Sequence, residues 1–168
     1  MKSKTAYLGL LLAFALILSY IEVLIPFSFG IPGVKLGLSN LAVLLALCLL
    51  GYRDAFLLTV VKAIFCGFLF GNMTMILYSL SGAVCSFLAM AVIMKSNRFH
   101  LLIISAVGGV LQNAGELVVA YFVVKTYGIF YYVPILILAG LIAGILIGTI
   151  VTLVMPFIRN VIKRGTNI

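Results

Sequence analysis

Acidic residues are almost missing from this sequence: 168 residues include three, Glu22, Asp54 and Glu116. Clusters of carboxylates that hold catalytic metal ions are therefore excluded. Histidine occurs once, as His100 at the start of an apolar run, so neither a Ser-His-Asp nor a Cys-His arrangement is supported. The Gly-x-x-x-x-Gly-Lys-Ser/Thr loop that binds ATP phosphates is also missing. We therefore expect a protein that is not an enzyme and that holds no metal ion or cofactor.

Cysteine is scarce as well. Cys48, Cys66 and Cys85 are odd in number, lie in apolar runs and lack Cys-x-x-Cys spacing. This pattern favours small packing residues over redox or metal-binding roles.

Charge of either sign is rare, and apolar residues take its place. Hydrophobic residues make up 65% of the chain and charged residues 8%, and the mean hydropathy is +1.38. Such values indicate an integral membrane protein, here one transmembrane domain over residues 1–168. The net charge of +8 does not indicate nucleic-acid binding, because the basic residues lie at the ends of apolar runs and not in one stripe.

The apolar runs predict an all-α bundle of six transmembrane helices. The first run is too long for a signal peptide and no small-x-small cleavage site follows it, so we expect a retained span. The second run is short, which predicts a helix that is tilted, kinked or partly continued by the loop before it. The predicted helices cover residues 5–25, 38–51, 54–71, 74–95, 100–125 and 131–158.

The basic residues are divided unequally between the two ends of these spans. All but Lys35, Lys62 and Lys125 fall on the side of the termini. The positive-inside rule then predicts a multi-pass cell-membrane protein with cytoplasmic termini and with the loop "IPGVKLGLSN", residues 31–40, on the outer face. The basic residues on the cytoplasmic side are Lys2, Lys4, Arg53, Lys95, Arg98, Arg159, Lys163 and Arg164.

A few polar residues fall inside the predicted spans, where lipid disfavours them. Lys62 lies close to the middle of the third span, and Gln112 and Glu116 are one turn apart on the fifth, beside Asn113. Two interpretations are open. Either Lys62 and Glu116 form a buried structural ion pair, or these side chains, with Glu22 above them, line an outward-facing cavity for a polar ligand.

Small residues recur four positions apart in several spans. On the first span the pairs are Gly9 with Ala13 and Ala15 with Ser19, and on the sixth span Gly140, Gly144 and Gly148 form a row. Such spacing lets helix backbones approach closely in lipid. The rows predict packing inside the bundle or, for the first span, contact with another protein.

Three stretches resemble the Gx transporter family, whose members are often labelled heptaprenyl diphosphate synthase component I. They are "PGVKLGLSN" after the first span, "LYSLSGAVCSFLAM" in the fourth and "GGVLQNAGELVVAY" in the fifth. That family is similar to the substrate-binding S components of energy-coupling-factor transporters. The fifth-span motif of the family reads His-Asn-x-x-Gln, so Asn113 matches here, whereas Gln112 and Glu116 differ.

The resemblance implies a six-helix bundle with an outward-facing pocket that the first loop partly covers. Pro32 and Gly33 would shape a turn at the rim, Lys35 would meet an anionic group, and Asn40 would begin the second helix. The expected ligand is a small vitamin-like, flavin-like, isoprenoid or quinone-related molecule. The ligand-binding residues predicted in total are Glu22, Lys35, Asn40, Lys62, Gln112, Asn113 and Glu116.

The resemblance also implies partners. S components transport solute only with a transmembrane coupling subunit and two ATPase subunits, and they contact the coupling subunit through small residues on the first helix. Here Gly9, Ala13, Ala15 and Ser19 occupy such positions. The alternative is a non-catalytic accessory subunit of heptaprenyl diphosphate synthase in isoprenoid or menaquinone metabolism.

Overall fold

The computed structural model describes residues 2–24, 37–125 and 127–165. Within these ranges the chain forms six α-helices and one short 3-10 helix between the last two of them. The helices are α1 (Lys2–Leu24), α2 (Asn40–Leu49), α3 (Tyr52–Phe70), α4 (Met73–Lys95), α5 (Leu101–Val124) and α6 (Val133–Gly165), with the 3-10 helix at Tyr127–Tyr132.

The structure confirms the all-helical fold, and four of the helices are long and apolar enough to cross a membrane. They are Lys4–Leu24, Met73–Lys95, Leu101–Val123 and Val133–Asn160. The other two helices depart from an ordinary span for different reasons. Helix α2 has 10 residues, and α3 has 19 residues but includes Arg53, Asp54 and Lys62. That all six helices cross the bilayer remains a prediction.

Helix α2 is enclosed by the rest of the bundle. It packs against α1, α3, α4 and α6, and the side chains from Ala42 to Leu47 are all buried. A helix that is apolar on every face is stable only where other apolar surfaces surround it. Leu44 and Val43 therefore lie at the centre of the main hydrophobic core, with Phe87 and Met90 of α4 and Ile147 of α6.

The last two helices are antiparallel and share the most extensive contact of any pair, and glycines let their backbones approach each other. A Cβ atom on Gly144 would lie 2.5 Å from the backbone oxygen of Ser105, and one on Gly148 would lie 2.6 Å from the Cα of Leu102. Gly140 meets Gly109 in the same way. The predicted row on the sixth span is therefore an internal packing surface.

Two contacts show which helix ends lie together. The Lys4 ammonium and the Asp54 carboxylate are 2.5 Å apart, which joins the start of α1 to the start of α3. The Tyr20 and Phe70 rings, with centroids 5.4 Å apart, join the other ends of the same helices. We call the end with Lys4 and Asp54 the basic end, because the sequence pattern assigns most lysines and arginines to this side of the helices.

The small residues of α1 divide between two faces. Ala15 is fully buried and Ser19 is 2% exposed, so both pack inside the bundle. Gly9 and Ala13 are exposed, and a Cβ atom on Gly9 would meet nothing within 4 Å. Of the four residues predicted to contact a partner, Gly9 and Ala13 thus lie on an open surface.

Candidate functional site

Seven buried polar side chains meet where α1 to α5 come together, and we call them the polar cluster. None of them is more than 8% exposed. Among the described residues, every buried side-chain nitrogen and oxygen atom has a hydrogen-bond partner. The cluster consists of Glu22, Ser39, Asn40, Lys62, Ser86, Gln112 and Glu116.

Asn40 is the hub of this cluster. Its Oδ1 accepts a hydrogen bond from Lys62 Nζ at 3.3 Å, and its Nδ2 donates to Ser86 Oγ at 2.9 Å and to Gln112 Oε1. Helix α2 begins at Asn40, and Ser39 before it forms no capping hydrogen bond with its side chain. The Asn40 side chain joins α2 to α3, α4 and α5.

Lys62 carries a positive charge into the interior of the bundle. It is the eleventh residue of α3, so it lies about 15 Å from the start of that helix, near half the thickness of the hydrocarbon region. Besides its contact with Asn40, the ammonium donates to Ser39 Oγ at 3.0 Å. Hydrogen bonds to a charged group are stronger than those between neutral groups and offset part of the cost of burying the charge.

Glu116 is 1% exposed and joins the cluster through its neighbour on α5. Its Oε1 accepts a hydrogen bond from Gln112 Nε2 at 3.2 Å. Gly82 of α4 makes room for this carboxylate, because a Cβ atom there would lie 2.6 Å from Glu116 Cγ. Lys62 and Glu116 are thus linked through the amides of Asn40 and Gln112.

Glu22 joins α1 to the segment before α2, because its carboxylate accepts the backbone N–H of Gly37. Gly37 has a φ of +80°, which side chains other than glycine rarely adopt. A Cβ atom there would also lie 2.6 Å from Gln112 Oε1. The close approach of Gly37 to the cluster therefore requires glycine.

A small cavity lies within the cluster. Its volume is about 20 Å³, and its lining includes Glu22, Lys62 and Glu116, with Ser19 and Ser79 beside them. A space of this size holds about one water molecule. Ser39 lines this narrow cavity, and the segment Gly37–Asn40 is held beside it by the hydrogen bonds of Gly37, Ser39 and Asn40.

The structure brings together five of the seven predicted ligand-binding residues: Glu22, Asn40, Lys62, Gln112 and Glu116. Asn113 faces α6 instead, where its Nδ2 donates to the carbonyl oxygen of Leu136 at 2.7 Å. Lys35 lies outside the described residues, as do Pro32 and Gly33. Ligand contact by Asn113 or Lys35 stays a prediction.

Sequence reasoning missed three contributors to the site: Ser39, Gly82 and Ser86. Gly82 and Ser86 are four residues apart on α4, which is the same spacing that marked the other close helix contacts. That signal identifies a face for close packing, but it does not show that the facing helix brings a carboxylate.

The cluster combines charged and neutral hydrogen-bonding groups. It offers one ammonium donor, two carboxylates and several amide and hydroxyl groups. In the part of the chain that the structure describes, no group of three or more His, Cys, Asp or Glu residues is placed to hold a metal ion.

Comparison with protein families identifies the chain. The profile of the heptaprenyl diphosphate synthase component I family matches residues 11–154, which includes α2 to α5 and all seven residues of the polar cluster. The chain belongs to this family. The match confirms the resemblance seen in the sequence, and it makes this component I chain a membrane protein with apolar helices. No curated protein and no solved structure matches the chain.

Proposed function

We propose that this component I chain is a substrate-binding membrane subunit, similar to an S component, for a small polar-headed ligand. The observation that carries the proposal is the polar cluster around a small cavity in the bundle. Charged groups inside a membrane protein usually face a ligand or ion pathway.

The number of polar groups favours this proposal over a structural ion pair. A pair needs two side chains, whereas here seven residues from five parts of the fold converge. Ser39, just before α2, and Asn40, its first residue, both accept hydrogen bonds from the Lys62 ammonium. Displacement of that segment would therefore open part of the hydrogen-bonding capacity of the ammonium to a ligand. In this structure the polar groups of the cluster satisfy one another, and a ligand would replace some of those partners when it binds.

The proposed ligand is a vitamin-like, flavin-like, isoprenoid or quinone-related molecule that enters from the outer face of the cell membrane. Because the cavity of about 20 Å³ is too small for such a molecule, binding requires displacement of Gly37–Asn40. Transport would then need a coupling subunit and ATPase subunits, with Gly9 and Ala13 as the open part of the contact surface on α1. The chain itself supplies no catalysis in this proposal.

Thermal unfolding in detergent tests the proposal, with riboflavin, thiamine, menadione and farnesyl diphosphate as probes. We expect at least one probe to raise the Tm of the wild-type chain, since binding to the native state at a hundredfold excess over Kd contributes about 2.7 kcal/mol. The double variant Lys62→Met with Glu116→Leu should fold, because it removes one charge of each sign and leaves the net charge of the cluster unchanged, with Glu22 still bound by the Gly37 N–H. It should lose the rise in Tm.

The matched control is Lys4→Met with Asp54→Leu, which removes the exposed ion pair at the basic end. We expect this variant to keep the full response to the probe. A cluster variant that keeps the response as well would contradict the proposed site, and a wild-type chain that responds to no probe would contradict the proposed ligand classes.

The name of the family favours a second candidate, a non-catalytic accessory subunit of heptaprenyl diphosphate synthase. Affinity purification of the tagged chain from its own membranes separates the two candidates. Recovery of a polyprenyl synthase subunit supports the accessory role, and recovery of a coupling subunit with ATPases supports transport.

A further inference from the structure

An apolar groove lies at the basic end of the bundle, apart from the polar cluster. Three elements line it: α1 with Tyr7, Leu10 and Leu11, the end of α2 with Leu49 and Leu50, and α6 with Ile158. Its volume is about 270 Å³. Leu10 is 67% exposed, so the groove opens towards the surroundings of the bundle.

The lining of the groove suits an alkyl chain. All six lining residues carry apolar or aromatic side chains, and an alkyl chain buried among them needs no hydrogen-bond partner. A volume of about 270 Å³ accommodates part of one such chain.

Basic residues lie close in sequence to residues that line the groove. Lys4 is three residues before Tyr7, Arg53 is three residues after Leu50, and Arg159 follows Ile158 directly. All three are exposed. The Arg159 guanidinium is close enough to Cys48, the neighbour of Leu49, for its charge to act on the thiol. Asp54 pairs with Lys4, and among the described residues neither Arg53 nor Arg159 takes part in a salt bridge, so both charges can attract an anion.

We propose that this groove binds one acyl chain of an anionic phospholipid, with the headgroup phosphate held by Arg53 and Arg159. The apolar walls take the chain and the basic rim selects the headgroup, as basic sites between helices do for anionic lipids. The site is independent of the ligand proposed for the polar cluster, because no residue lines both cavities.

Fluorescence quenching tests this proposal, since the sequence has no tryptophan and a single introduced one has no background. The variant Tyr7→Trp places the reporter in the wall of the groove. The full chain is reconstituted in two samples, each an equal mixture of phosphatidylglycerol and phosphatidylcholine. In one sample the phosphatidylglycerol is brominated near the headgroup end of its acyl chains, and in the other the phosphatidylcholine is. We expect the brominated anionic lipid to show at least about fivefold higher occupancy beside the reporter, the effect of one basic residue at a membrane surface.

Matched variants distinguish a specific lipid site from a general attraction of anionic lipid to the basic end. Phe157→Trp is the reporter control, because Phe157 precedes Ile158 on α6 but is 72% exposed and does not line the groove. It should be quenched equally by both lipids. Adding Arg159→Gln to the Tyr7→Trp chain should lower the preference about fivefold, whereas adding Arg98→Gln, a basic residue beyond the end of α4, should leave it unchanged.

Three results would overturn the proposal. Equal quenching of Tyr7→Trp by both lipids would mean that the groove does not select headgroups. If Arg98→Gln lowers the preference for the anionic lipid as much as Arg159→Gln does, the attraction is general to the basic end and not specific to the groove. A reporter that neither lipid quenches would mean that protein, such as a second copy of the chain, covers the groove.

Discussion

Asn40 uses both ends of its side-chain amide, and few residues can replace it. The oxygen accepts from Lys62 and the nitrogen donates to Ser86 and Gln112. A leucine of similar volume offers neither group, and an aspartate offers acceptors where a donor is needed. Because the partners are buried, losing this hub leaves several polar atoms without hydrogen bonds, which costs more than the bonds contribute when present.

At the residue scale, a substitution at Gly82 tests how closely α4 approaches Glu116. Gly82→Ala places a Cβ atom 2.6 Å from Glu116 Cγ and 2.8 Å from the backbone oxygen of Gln112. We expect a loss of stability of about 1–3 kcal/mol from overpacking, measured as a lower Tm in detergent. Gly9→Ala is the control, since the added atom meets nothing within 4 Å. If the two variants unfold at the same temperature, α4 does not approach Glu116 as closely as described.

The sequence predicted the charged members of the cluster better than the neutral ones. Lys62 and Glu116 stand out because lipid disfavours them, whatever the fold around them. Ser86 does not stand out, because a serine in an apolar helix can bond to its own backbone, as Ser81 does to the carbonyl of Tyr78. Which neutral residues join the site depends on helix rotation, and one sequence does not determine that rotation.

At the scale of elements, the contact between α5 and α6 depends on glycines, which have no side chain to hold the helices apart. Gly109, Gly140, Gly144 and Gly148 bring the two backbones together, and close backbones gain dispersion contacts that lipid tails cannot replace. Asn113 adds one hydrogen bond across the same interface. This pair of helices is therefore the most extensive contact in the bundle.

Substitution of Gly144 by leucine should disrupt this contact. The new side chain would overlap Ser105 and Ala106 of α5, so we expect at least about 1–3 kcal/mol of destabilisation or failure to fold. Size-exclusion elution and thermal unfolding provide the measurement. Gly9→Leu carries the same change on an open face and should leave the isolated chain folded. Should Gly9→Leu unfold it instead, Gly9 packs inside the bundle and is not available to a partner.

The apolar runs predicted every helix to within a few residues except at the end of α6. That helix was expected to end near residue 158, and it continues to Gly165, because its last turns carry Arg159, Lys163 and Arg164 and so lie outside the apolar pattern that predicted the span. The expected and the observed helix both contain Pro156. Proline removes one backbone hydrogen bond and usually ends or kinks a helix in water. Membrane helices tolerate it more often, because hydroxyl groups and neighbouring helices can satisfy the freed backbone groups.

At the scale of the whole molecule, the charge distribution predicts the orientation in the membrane. Labelling with a membrane-impermeant thiol reagent on intact cells tests it, in a chain whose three cysteines are replaced by alanine. Cysteines at Lys35 and Tyr127 should be labelled and those at Arg53 and Asn97 should not, because the basic end stays in the cytoplasm. The reverse pattern would put the proposed ligand entry on the cytoplasmic side.

The shortness of α2 has a consequence for biosynthesis. Ten residues rise about 15 Å, half of the hydrocarbon thickness, so α2 alone is a poor substrate for insertion by the translocon. Helix α3 is also a weak insertion signal, because it carries Lys62 and two further charges. Leu50 and Gly51 alone separate the two helices, so we expect them to enter the bilayer together, as one hairpin. Helix α2 would then reach its enclosed position only after α4 and α6 have been made, and the polar cluster would be completed late in synthesis.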